Sequence, residues 1–253
     1  MAIEIVTVPC RSDNYAYLVR DEGTGRVALV DAPEVAPIRR ALDERGWQLS
    51  QIWVTHHHDD HTSGVAELRE GAEVIGNTAD RARLPALDRE VSDGESFSFG
   101  ETRVKVMDVS GHTIGHIAFL CEEDEAVFTA DSLMAMGCGR VFEGTPEMMW
   151  GTLSKLGQLP ESVMVYSGHN YGKKNAGFAL SIEPGNEAAR ERSARIEAAD
   201  ETGEPIVPAS IGEEKATNPF LRVKLDSVRR AVGMPDAEPV EVFAEVRRRR
   251  DGF

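Results

Sequence analysis

The chain has 253 residues, 28 basic and 43 acidic, and a formal net charge of −15. Hydrophobic residues make up 41% and charged residues 28%, which suits a soluble globular protein and excludes a disordered one. The acidic balance argues against a general binder of the nucleic-acid backbone, and no apolar run approaches the roughly 20 residues needed to cross a bilayer. Residues 3–8, 15–19 and 27–30 are short apolar runs divided by turn signals and predict a strand meander. Residues 33–45 carry Val35, Ile38 and Leu42 at helical spacing, with Gly46 as the stop. Residues 52–55 read as a strand, 64–70 as a short helix, 74–75 as a strand and 78–87 as a further helix. Strands are expected again at 102–109, 117–121 and 126–129, then a helix at 146–159 and a strand at 164–166. Beyond Gly172 the character changes: 187–201 is charged and Ala-rich and reads as a solvated helix, 203–208 as a linker, and a basic run closes the chain at 247–250. We therefore place a boundary near 172, giving domains 1–172 and 173–253. Two meanders with interspersed helices suggest an α+β protein with two packed sheets and helices outside, an αββα sandwich.

Met1-Ala2-Ile3-Glu4-Ile5 shows neither a basic flank nor a small-residue cleavage site, so no signal peptide is expected. The three cysteines, Cys10, Cys121 and Cys138, are too few and too scattered for a disulfide framework. A reducing, cytoplasmic setting is expected.

Four of the seven histidines fall within six residues, in Thr55-His56-His57-His58-Asp59-Asp60-His61. Imidazole is the commonest transition-metal ligand. On an extended segment, residues two apart share a side, so His56 and His58 can share one metal while His57 points away. Asp60 and His61, where the chain turns into a helix, can face a second. Donors are also expected just past later strands: His112 in Ser110-Gly111-His112, Asp131 in Ala130-Asp131-Ser132, and His169 in Ser167-Gly168-His169. His56, His58 and His112 can then hold one metal and Asp60, His61 and His169 another, with the Asp131 carboxylate between them. These ligand types suit zinc first, with iron or manganese as alternatives. His57 and His116 are read as packing or hydrogen-bonding partners of the ligands. Cys138 is not read as a nucleophile, because no separate base accompanies it.

The run from Thr55, with His112, Asp131 and His169 behind it, resembles the metallo-β-lactamase superfamily, whose motif is His-x-His-x-Asp-His followed by further His, Asp and His ligands. The resemblance implies an αββα fold with a dinuclear metal site at one edge of the sandwich. Segments outside that site, namely Ser12-Asp13-Asn14-Tyr15, the stretch from Gly137 to Thr145, Gly168-His169-Asn170-Tyr171, Glu183-Pro184-Gly185-Asn186, Asn218-Pro219-Phe220-Leu221-Arg222 and the last seven residues, resemble the glyoxalase II family. That resemblance implies hydrolysis of S-D-lactoylglutathione to glutathione and D-lactate, the second step of methylglyoxal detoxification, with a smaller, mainly helical C-terminal domain holding the substrate.

Carried over residue by residue, the resemblance implies that Arg140, Phe142, Tyr171, Arg247 and Arg250 bind glutathione. Arg140, Phe142 and Arg250 stand where the animal-type pattern has Lys, Tyr and Lys, so charge is kept at two positions and a phenolic hydroxyl is lost at one. Glutathione carries two carboxylates, and 247–250 is the one block of four consecutive basic residues in the chain; arginine recognises carboxylate in a bidentate manner. Two metals lower the pKa of a bridging water from 15.7 to about 7, so hydroxide attack on the thioester is the expected step, with Asp60 and Asp131 holding and orienting that centre. A persulfide dioxygenase-like enzyme is disfavoured because it would need one iron and not the ligands Asp60, His61 and His169 of a second metal. A β-lactamase is disfavoured by the missing export signal, and a nuclease by the charge. A metal-dependent scaffold or sensor is the non-enzyme alternative. A monomer or weak oligomer, with no nucleic-acid or membrane partner, is expected.

Overall fold

The computed structural model describes residues 3–253, so Met1 and Ala2 of the N-terminal stretch lie outside the described residues. The chain divides into two compact units, one formed by Met1–Val109 with Ile114–Ala130, the other by Ser110–Thr113 with Asp131–Phe253.

The first unit is built from β1 (Ile3–Cys10), β2 (Asn14–Asp21), β3 (Val27–Val30), α1 (Val35–Asp43), β4 (Leu49–Trp53), α2 (Asp59–Thr62), α3 (Val65–Leu68), β5 (Glu73–Asn77), β6 (Arg89–Val91), β7 (Ser96–Phe99), β8 (Thr102–Asp108), β9 (Ile117–Cys121) and β10 (Ala126–Ala130). Strands β1 to β6 pair in sequence order. The β1-β2-β3 part is antiparallel and the β3-β4-β5-β6 part parallel. Strands β7 to β10 form an antiparallel meander.

Strand alternation explains why β4 is apolar on both sides. Ile52 belongs to a core shared with Leu18 and Leu29 of the sheet, Ile38 and Leu42 of α1, and Val65 and Leu68 of α3. Its neighbour Trp53 faces the opposite way. The indole packs on Phe97, Phe99 and Phe119 of the meander at ring-centre distances of 5.5, 5.3 and 5.5 Å. Its Nε1–H donates to Gln51 Oε1 at 2.9 Å, so the buried polar atom is satisfied. The two sheets therefore meet through an aromatic layer, as expected of the sandwich. Emptying such a fully buried site by Trp→Ala costs about 3–5 kcal/mol.

The helix expected over 78–87 is instead a single 3-10 turn, Thr78–Asp80. Pro85 lacks an N–H and biases Leu84 away from helical backbone. The Asp80 carboxylate also turns away from any capping role, to the ring Nδ1 of His57 at 3.0 Å and to Arg83. Strands β6 and β7 were not expected; they are only three and four residues long.

The second unit contains the two-residue strands β11 (Leu133–Met134) and β12 (Gly137–Cys138), α4 (Pro146–Leu156), β13 (Met164–Ser167), α5 (Gly172–Ile182), α6 (Glu187–Thr202), β14 (Ala209–Ser210), α7 (Ile211–Thr217), α8 (Asp226–Ala231) and α9 (Pro239–Asp251). Strands β11 and β12 form a hairpin, and β13 pairs with β14. The run 187–201 does form a helix, but not a wholly solvated one. Ala189, Arg192, Ser193 and Ile196 are buried on one stripe of α6. The basic run 247–250 is the last turn of α9, where Arg247 is buried. Helices α5, α7, α8 and α9 were not expected. Among the described residues, no helix is long and apolar enough to cross a membrane.

Candidate metal centre

Strand β4 delivers the histidine run, and the first unit organises it around Asp31. Asp31, directly after β3, has a left-handed φ of 55°, a conformation that costs energy and concentrates at functional sites. Its Oδ1 accepts the Thr55 N–H at 2.9 Å. Its Oδ2 accepts the Thr55 hydroxyl at 2.8 Å and a proton from His61 Nδ1 at 2.8 Å. A carboxylate only accepts, so His61 carries its proton on Nδ1 and keeps the lone pair of Nε2 for other use. The Thr55 hydroxyl, having donated to Asp31, accepts from His56 Nδ1 at 3.0 Å, which leaves His56 Nε2 as an acceptor. That Nε2 lies 3.2 Å from His58 Nδ1. Asp60 Oδ2 lies 3.8 Å from His61 Nε2 and accepts from Asn14 Nδ2 at 3.1 Å. Asp31, His56 and His61 together offer donor atoms within 4.8 Å of one another.

His57 does point away, and its ring is bonded to Asp80. His116 is wholly buried and stacks on His56 at 4.6 Å, holding that ring in place.

The second unit repeats the arrangement. His112 Nδ1–H donates to the Arg140 carbonyl at 2.7 Å, which makes its Nε2 the acceptor nitrogen. That nitrogen faces Asp131 Oδ2 at 3.4 Å, and His169 Nε2 faces the same oxygen at 3.3 Å. All three side chains are buried. A lone pair facing a carboxylate oxygen at such a distance calls for a proton or a cation between them.

The donor spacings test the fit to a metal. Donors bound about 2.0–2.2 Å from one tetrahedral cation stand roughly 3.3–3.6 Å apart. The 3.4 and 3.3 Å separations at His112–Asp131 and His169–Asp131 match that edge, and the 3.2 Å at His56–His58 falls just short of it. The outer nitrogens of His61, His56 and His112 are anchored on a carboxylate, a hydroxyl and a carbonyl, as expected of metal-binding imidazoles. The donors present therefore fit divalent metals of the zinc, iron and manganese class.

The five residues expected to bind substrate all lie in the second unit. Tyr171 stacks on His169 at 4.7 Å and is 39% exposed as a residue. Phe142 is 59% exposed, 5.3 Å from the His112 ring and beneath the Arg140 guanidinium. Arg140 Nε and Arg247 Nη2 both donate to Asp251 Oδ1, at 3.3 and 2.9 Å. Arg247 is mostly engaged by the fold itself: Nη1 donates to the Cys138 carbonyl at 2.9 Å and the guanidinium lies over Phe220. Arg250 is half-buried, with Nε and Nη2 both donating to Asn175 Oδ1 at 3.2 and 3.0 Å. Burial, and then the positive charge of Arg247, hold the Arg250 guanidinium below its ordinary pKa. Asp31, Asn175 and Asp251 were missed in the sequence; of these, Asp31 left a signal, an acid closing an apolar strand.

Comparison with known proteins agrees with this geometry. Residues 11–169 match the metallo-beta-lactamase superfamily, and residues 170–253 match the family described as hydroxyacylglutathione hydrolase C-terminus. A protein of Ruegeria pomeroyi named hydroxyacylglutathione hydrolase is 56% identical over 255 aligned positions, covering 100% of both chains. This chain belongs to the hydroxyacylglutathione hydrolase family of the metallo-β-lactamase superfamily. Solved structures share the fold. ETHE1 from Myxococcus xanthus aligns with a TM-score of 0.66 and 26% identity over 99% of this chain and 98% of its own. TTHA1623, solved in a di-iron-bound form, aligns with a TM-score of 0.62 and 25% identity over 86% of this chain and 100% of its own. The expected fold class, a metallo-β-lactamase sandwich with a mainly helical C-terminal region, holds.

Proposed function

We propose that the chain hydrolyses S-D-lactoylglutathione to glutathione and D-lactate. In this reading His56, His58 and His112 would hold one divalent metal and Asp60, His61 and His169 a second, with Asp131 serving both. Zinc is the expected ion, with iron and manganese as alternatives. The observation that carries the reading is the pairing of inner donor atoms at metal-ligand spacing with outer nitrogens anchored by Asp31, Thr55 and the Arg140 carbonyl. Full-length relatives named hydroxyacylglutathione hydrolase support the choice of substrate.

The metal pair, when bound, supplies a nucleophile from water at neutral pH and polarises the thioester carbonyl. The protein's own residues prepare for that chemistry. Asp31 and the Arg140 carbonyl hold the His61 and His112 protons on the outer nitrogens, so each inner lone pair stays available. Arg140 and Arg250 meet the carboxylates of glutathione, and Arg247 holds the segment around Cys138 beneath them. Phe142 and Tyr171, both exposed residues, offer apolar surface to the peptide stem. The leaving thiolate needs no dedicated acid, because a thiol has an ordinary pKa near 8.5. Cys138 takes no covalent part: burial, only partly opposed by Arg247, raises its pKa and keeps it a thiol. Residues 1–172 form the catalytic domain and 173–253 the substrate-holding one. The enzyme acts in the cytoplasm as a monomer or weak oligomer, without nucleic-acid or membrane partners.

The test mixes purified protein with S-D-lactoylglutathione and follows thioester loss and free thiol together. Equal loss and release, abolished by Asp131→Ala, is the expected result. Metal-loaded protein that releases no thiol from this substrate overturns the reading.

A further inference from the structure

We propose that Glu214 and Asn218 are positioning residues that set the metal affinity of Asp131 through the hairpin that follows it. The proposal rests on the metal role given to Asp131 above.

Asp131 leads directly into the β11–β12 hairpin, and Arg140 follows its return strand. The hairpin tip is Ala135-Met136. Met136 has a φ of 53°, a left-handed conformation that a methionine rarely adopts unless its surroundings enforce it. The enforcement comes from helix side chains. Glu214 Oε2 accepts the Met136 N–H at 3.0 Å. Asn218 Nδ2 donates to the Gly137 carbonyl at 2.9 Å, to the Met134 carbonyl at 3.3 Å and to Glu214 Oε2 at 3.0 Å. Asn175 Nδ2 donates to the Ala135 carbonyl at 3.0 Å. Every residue from Met134 to Gly137 thus has a backbone polar atom bonded to a buried helix side chain.

The charge of Glu214 is balanced in place. Arg192 Nη2 donates to Glu214 Oε1, and Arg192 Nη1 donates to Thr217 Oγ1 at 2.7 Å. Glu214 and Asn218 are 0% exposed and Arg192 3%. A buried ion pair of this kind adds little net stability over an apolar replacement. Fixing one geometry is the better reason for it here.

The base of the hairpin has no slack to absorb a shift of the tip. Gly139 N–H donates to the Ser132 carbonyl at 3.1 Å. A Cβ on Gly139 would stand 1.9 Å from the Asp131 carbonyl oxygen. The next carbonyl, that of Arg140, orients His112. A displaced tip is therefore passed on to the Asp131 carboxylate and to the group that aims His112. Neither Glu214 nor Asn218 touches Asp131 itself.

The test uses the full chain loaded with zinc and exposed to graded chelator, with metal per chain read by elemental analysis and no substrate present. Glu214→Gln puts an amide donor opposite Met136 N–H and Asn218 or opposite Arg192, and all of these are donors. Asn218→Ala removes the bonds to Met134 and Gly137. Both variants should release metal at a chelator concentration about 10- to 100-fold lower than the native chain, the range for groups that act through a ligand. Arg195→Ala, which breaks the exposed pair with Glu213 on the same two helices, should leave release unchanged. Arg192→Met with Glu214→Leu removes the ion pair as a unit and should fold, yet still release metal early. Native-like release from the folded double variant or from Asn218→Ala overturns the proposal. A native chain that binds metal but hydrolyses no thioester sinks the proposed function and leaves this inference standing. A native chain that binds no metal ends both.

Discussion

Replacing Arg250 with Ala isolates substrate holding from chemistry. Arg250 sits at the end of α9, half-buried, with two of its nitrogens spent on Asn175 Oδ1 and the guanidinium close to Arg247 and Arg140. In the proposed complex its remaining donors meet a carboxylate of glutathione. A hydrogen bond to a charged group contributes about 1.5–3 kcal/mol. At 1.36 kcal/mol per tenfold, that is about a 10- to 150-fold rise in KM. The metal donors lie outside its contacts, so kcat should stay within about twofold, the pattern of lost uniform binding. Steady-state thioester hydrolysis, with bound metal measured on the same sample, reads all three quantities. An unchanged KM would show that Arg250 holds no carboxylate. A fall in kcat together with lost metal would show that its role is to support the centre.

Three further outcomes are expected. Gly139→Ala should strip metal from a folded chain, because its Cβ would collide with the Asp131 carbonyl; elemental analysis reads this, and full retention would refute the rigidity of the hairpin base. The thiols should resist alkylation at pH 8 in the native fold and react fully in denaturant: Cys10 is pushed up to about 12 by burial and then by the charge of Glu34, and burial likewise raises Cys121 and Cys138. Mass spectrometry would refute this by finding native labelling at Cys138. Glu183→Gln should melt lower than the native chain at pH 7. Burial opposes ionisation of Glu183, but the bonds from Arg222 and Ser227 prevail and hold its carboxyl below the ordinary range. A depressed folded pKa gives stability that is present above the unfolded value of about 4.3 and fades as pH falls through the folded one. The gap in Tm between the two proteins should therefore close below about pH 4, and a gap that widens in acid contradicts the assignment.

The candidate donor clusters are legible because ligand chemistry is local. His56, His58, Asp60 and His61 lie within one turn of chain, and His112, Asp131 and His169 stand just past strands that the apolar runs already marked. The sandwich was legible from the doubly buried strands, of which β4 is the clearest. The C-terminal helices were not. Helix α9 buries Val242, Phe243, Val246 and Arg247, an amphipathic stripe masked by the charges around it. On α6 the buried stripe includes Arg192, and an arginine reads as a surface residue unless its partner is known. That partner, Glu214, is 22 residues away, and nothing in the sequence pairs them. Asp31 escaped for the same reason: its bonds reach Thr55 and His61, 24 and 30 residues on. The arginines proposed to meet glutathione come from the family resemblance alone. The structure adds that Arg247 serves the fold at least as much as it can serve a ligand.

The most direct measurement titrates metal-free protein with zinc and follows S-D-lactoylglutathione hydrolysis and bound metal on the same samples. Hydrolysis should rise with occupancy and level off at about two metals per chain, as seven donors on a dinuclear centre require. Full hydrolysis at one metal per chain would contradict the account, because Asp60, His61 and His169 would then have no second ion to hold.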